Sequence, residues 1–109
     1  MNDQSSRNQR KIVGWRAAIM LGAQAQPILG RIIEASPSGF VILTEQEIRA
    51  GHVCRLFVDL PTPSNGQRNY LDCKFKVTTA TLQADRFKLI GQIVDMPTAQ
   101  QDQLNHALG

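Results

Sequence analysis

At 109 residues the chain has room for one domain with a modest core, which excludes a two-domain enzyme. Its 42% apolar and 19% charged residues make an ordinary globular mixture, neither the low hydrophobicity of disorder nor the enrichment of a membrane protein. The net charge of +3 is unevenly held: Arg7, Arg10, Lys11, Arg16 and Arg31 stand against Asp3 alone up to residue 33, giving +4 there and −1 in the rest. That asymmetry points to a local anion site more than to a basic face for long nucleic acid, although a solvated basic arm would read the same way.

Residues 1–10 are almost wholly polar and read as a flexible basic arm ahead of a domain spanning 11–109. No apolar segment of secretory length follows Met1–Arg7, and no run approaches the roughly 20 apolar residues of a membrane span, so cytoplasmic residence is expected. Order begins near Ile12, and Trp15–Leu21 reads as a mostly buried first strand, ended by the break from Gly22 to Pro27. Ile28–Ala35 resumes an extended pattern until Ser36-Pro37-Ser38-Gly39 forces a turn into a short apolar strand, Phe40–Leu43. Thr44–Gly51 is polar and reads as a turn or short helix, with Gly51 suited to a left-handed conformation.

In Cys54–Leu60 the even positions are apolar while Arg55 and Asp59 are charged, the period of two of a half-buried strand. A Pro-rich loop with an Asn65-Gly66 pair then leads to Leu71–Val77, the cleanest alternation in the chain. The pattern blurs through Thr78–Leu82, a turn follows at Gln83-Ala84-Asp85, and Phe87, Leu89, Gly91 and Ile93 alternate in a last strand. Beyond Pro97, Thr98 with Gln101 forms a weak capping box, and Leu104, Ala107 and Leu108 share one helical stripe. Six short strands and one terminal helix describe an all-β fold: a six-stranded antiparallel β-barrel with a short C-terminal α-helix.

The chemistry is sparse. His52 and His106 lie outside any nucleophile context, the carboxylates form no acid–base pair, and there is no phosphate-binding glycine loop, so no enzyme is expected. Cys54 and Cys73 sit inside alternating runs without metal-ligand spacing and read as buried, reduced thiols; no metal or cofactor is implied. Lys74 and Lys76, with Arg86 and Lys88 near them, could line a nucleic-acid groove, but the aromatic residues fall on inward faces, where core packing explains them.

The segment Glu34-Ala35-Ser36-Pro37-Ser38-Gly39, between two strands, resembles the [D/N]xSxxG motif of the PilZ family, with Glu34, Ser36 and Gly39 at the motif positions. Arg7-Asn8-Gln9-Arg10-Lys11 fits the family's RxxxR motif with Lys11 as the second basic residue. The resemblance covers roughly residues 7–108 and implies a split-barrel-type PilZ fold. It further implies a non-enzymatic bacterial receptor or adaptor for cyclic di-GMP that contacts a protein partner in motility, biofilm or polysaccharide regulation. The implied ligand-binding residues are Arg7, Arg10, Lys11, Glu34, Ser36 and Gly39, with Arg16 as a possible addition. Arg can bond bidentately to phosphate and to the O6/N7 edge of guanine, a carboxylate can accept from guanine N1 and N2, and Gly39 would permit a close approach and an unusual dihedral. Lys11 offers a point charge in place of a planar fork, and Glu34 is one methylene longer than Asp or Asn. A PilZ-like interaction module without a nucleotide is the alternative, and monomer and dimer both remain open.

Overall fold

The computed structural model describes residues 10–61 and 69–109. Six strands and one helix follow in order: β1 Lys11–Met20, β2 Ile28–Ser36, β3 Gly39–Thr44, β4 Val53–Leu60, β5 Asn69–Gln83, β6 Arg86–Asp95 and α1 Thr98–Leu108. Every pairing is antiparallel, and the sheet closes on itself in the order β1-β2-β3-β6-β5-β4. Closure leaves no strand edge unpaired along the ring, which is how a small all-β chain satisfies its backbone without a second sheet.

The interior follows from strand parity. Ile19, Ile32, Ile42, Leu56, Val58, Leu71, Phe75, Val77 and Leu89 are all fully buried, and the rings of Phe40 and Phe75 lie 6.1 Å apart at a tilt. Two plugs close the ends. Leu104 and Leu108 of α1 join the core at the end where β1 and β5 begin, and Ile48, alone in the polar connector, is buried at the opposite end.

Several expectations shift. β1 begins at Lys11, ahead of Trp15, because its first residues are held by main-chain pairing (Lys11 opposite Ala35, Ile12 opposite Glu34) and not by burial. A bulge between Ile12 and Trp15 then returns Trp15 to the core. Residues 45–52 contain no helix; Gly51 does take a left-handed conformation, at φ +93°, and its N–H donates to the Val77 carbonyl. β5 is one strand of 15 residues, with bulges after Lys74 and Val77. Its first half pairs with β4, which runs out at Val53 opposite Lys76, while its last residues pair with β6 alone. This is why the alternation blurs from Thr78 onward.

The capping box does not form. The residue before the helix is Pro97, no side chain caps it, and its carbonyl accepts from the backbone of Gln100 and Gln101. Gln101 instead donates through Nε2 to the Pro37 carbonyl at 3.1 Å. Gln100 Oε1 accepts from the Asp72 amide, and Lys11 Nζ donates to the Leu108 carbonyl at the helix C-terminus. The helix is thus laced to the start of β1, the β2–β3 turn and the start of β5, all at one end of the barrel.

Candidate functional site

The β2–β3 hairpin turns through Pro37 and Ser38, between Ser36 and Gly39, which face each other in register. Ser36 is buried, and its hydroxyl is taken up within the turn: Oγ accepts from the amides of Ser38 at 3.3 Å and Gly39 at 3.2 Å, with the Gly39 carbonyl and Ser38 Oγ each at 3.3 Å. A hydroxyl with one proton and two lone pairs is then fully occupied.

Gly39 has ordinary strand conformation, since the left-handed glycines among the described residues are Gly51 and Gly109, so the unusual dihedral expected of it is absent. Its requirement is steric. A Cβ at Gly39 would fall 2.2 Å from the Gly91 carbonyl oxygen, because β3 and β6 approach closely at this rung.

Glu34 lies where β2 bulges between Ile32 and Glu34, and it is half-buried, opposite Ile12 on one side and Val41 on the other. Val41, which pairs with Glu34, is fully buried although it has the opposite parity to the core residues Phe40 and Ile42. Arg10 is exposed, one residue before β1 enters the ladder at Lys11 opposite Ala35. Arg10, the first described residue, therefore stands at the hairpin end of the barrel. Lys11 itself is committed to the carboxyl end of α1, where the helix dipole favours a cation. Arg7 lies outside the described residues. Arg16 is exposed on β1, directly opposite Arg31 of β2; Arg31 counts in the basic N-terminal third of the sequence, but no motif marks it as a site residue.

Elsewhere the surface is simpler. Arg55 holds Asp72 in a two-point ion pair of 2.9 and 2.7 Å on the outer face of β4 and β5, which keeps the carboxyl below its usual range and raises the guanidinium. The basic residues Lys74, Lys76, Arg86 and Lys88 do not line one groove: Lys76 faces Gln92, but Lys88 faces Thr81, five positions further along β5 and about 16 Å away. Cys54 and Cys73 are buried and free, and burial pushes their thiols up to about 11 and about 12. Among the described residues no group of three or more His, Cys, Asp or Glu could hold a metal ion, and no helix is long and apolar enough to cross a membrane. A cleft of about 400 Å³ lined by Arg31, Leu43, Glu45 and Arg86 lies at the other end of β2 and β3.

The fold can be set beside solved structures. It is similar to the inhibitor of motility MotI/DgrA from Bacillus subtilis, with TM-score 0.77 and 13% identity over 91% of this chain. It is also similar to YcgR from Escherichia coli, solved in complex with cyclic di-GMP, with TM-score 0.71 and 14% identity over 92% of the chain. The barrel is PilZ-like. A third similar structure is MrkH, described as a cyclic di-GMP-dependent transcription regulatory factor, at TM-score 0.64 and 11% identity over 91% of the chain. At these identities the likeness is one of fold, and this chain spans less than half of each of these proteins: 47%, 42% and 47%. No family model matches the sequence. No curated protein matches it either.

Proposed function

We propose that this PilZ-like barrel is a non-enzymatic receptor for cyclic di-GMP, one that changes the surface it presents to a protein partner when the nucleotide orders the basic arm. The partner would belong to motility, biofilm or polysaccharide regulation in a bacterial cytoplasm. The observation that carries this reading is that exposed Arg10 directly precedes Lys11, which pairs with Ala35 inside the Glu34–Gly39 segment at one end of the barrel. The fold shared with a protein solved with that nucleotide supports it. In this reading Arg7 and Arg10 grip phosphate and guanine edges, Glu34 accepts from guanine N1 and N2, and Ser36 and Gly39 hold the hairpin in shape.

A second reading, a PilZ-like interaction module that has no nucleotide, draws on a specific observation. Ser36 and Gly39 are fully accounted for by the hairpin's own hydrogen bonds and packing, and Lys11 is engaged with α1. Calorimetric titration with cyclic di-GMP, with GTP as control, separates the two. Saturable heat for the cyclic dinucleotide alone supports the receptor; none at ligand concentrations on the order of tens of micromolar leaves the interaction module.

A further inference from the structure

Arg16 and Arg31 face each other across β1 and β2, and both are exposed. Directly opposed residues of an antiparallel pair have Cβ atoms only about 5 Å apart, and like charges in that position oppose folding. Neither is in an ion pair among the described residues, where the ion pair is Arg55 with Asp72, on another wall; Glu45 lines the cleft beside Arg31 without pairing with it. Among the described residues, the sole hydrogen bond of either guanidinium is a long one, from Arg31 Nη1 to the Gly14 carbonyl at 3.4 Å. That bond has a direction. Gly14 lies in the β1 bulge between Ile12 and Trp15, and Ile12 is opposite Glu34, so Arg31 leans along the outer wall toward the hairpin end. A Cβ at Gly14 would make only ordinary van der Waals contact with Arg31 Nη1, at 3.7 Å.

Resting on the receptor reading, we infer that Arg16 and Arg31 form the phosphodiester subsite of this barrel, supplying the planar forks that Lys11 lacks. Two guanidinium groups outside any ion pair among the described residues match the charge of a ligand with two phosphodiesters, and four N–H groups of Arg31 remain to grip non-bridging oxygens. The mutual repulsion of the pair is relieved when an anion lies between them.

The test is calorimetry with cyclic di-GMP on the full chain and on Arg31→Gln, Arg16→Gln and Lys76→Gln, the last removing an equal charge from a different wall. Arg31→Gln and Arg16→Gln should each weaken binding on the order of tenfold, and Lys76→Gln should leave it near the parent value. Their thermal midpoints should be unchanged or slightly raised, since each removes one of two facing like charges. Binding by Arg31→Gln at the parent affinity, an equal loss in Lys76→Gln, or a lowered midpoint in Arg31→Gln would overturn the subsite while leaving the receptor standing. Absence of binding by the parent protein would overturn the receptor reading and the subsite with it.

Discussion

At the scale of single residues, the hairpin motif divides between what the barrel needs and what a ligand would need. Removing the Ser36 hydroxyl leaves the Gly39 and Ser38 amides without their acceptor in a buried turn, so Ser36→Ala should cost about 1–2 kcal/mol in urea unfolding. Gly39→Ala drives a methyl group into the Gly91 carbonyl and the β6 backbone around it, and about 2–3 kcal/mol or more should be lost. Both effects should be measurable without any nucleotide; a Gly39→Ala protein as stable as the parent would mean that β3 and β6 are not so close. The thiols give a second expectation. Cys54 and Cys73 have folded values of about 11 and about 12 against an ordinary 9.0, from burial and, at Cys73, also from the neighbouring charges of Asp72 and Cys54. The folded chain therefore keeps protons that the unfolded chain gives up above pH 9. Their contribution is complete below that pH and is lost as pH rises toward 11 and 12, at about 1.4 kcal/mol per pH unit per thiol. Urea midpoints taken across this range should fall less steeply in Cys73→Ala than in the parent.

At the scale of elements, the β5–β6 hairpin holds an avoidable strain. Its two-residue turn places Ala84 at φ +53°, the left-handed region that two-residue hairpins require and that a methyl side chain disfavours. Ala84→Gly should raise stability by up to about 1 kcal/mol, the steric relief outweighing the entropy of the added glycine; a lower urea midpoint would contradict this. The elements also show what a sequence discloses. β4 and the first half of β5 were legible because each buries alternate residues between charged ones, and parity needs no knowledge of partners. The start of β1 was not legible, since Lys11, Ile12 and Gly14 are exposed and only pairing holds them. Ile48 escaped notice because a single apolar residue in a polar loop has no period. In the site, the Glu34–Gly39 turn could be read from composition. Arg31 could not, because its opposition to Arg16 depends on a register fixed by the β1 bulge, and Lys11 could not, because its acceptor Leu108 is 97 residues away.

At the scale of the molecule, a barrel plugged at one end by Ile48 and at the other by Leu104 and Leu108 gets its stability from the interior and leaves its charged residues outside. Stability and ligand binding should therefore be separable. Arg10 is exposed and precedes the first strand, so Arg10→Ala should leave the thermal midpoint within about a degree of the parent, surface changes away from packed groups being nearly neutral. In the receptor reading the same change removes a charge-assisted bidentate contact, on the order of 1.5–3 kcal/mol, or roughly ten- to a hundredfold in affinity. The interaction is between exposed charges, so the affinity of the parent protein should itself fall as salt is raised from about 0.05 to 0.5 M, while the urea midpoint moves little. Calorimetry at two salt concentrations beside thermal unfolding checks both halves. If Arg10→Ala lost affinity and folding together, Arg10 would belong to the barrel's framework and the arm would have to be sought elsewhere.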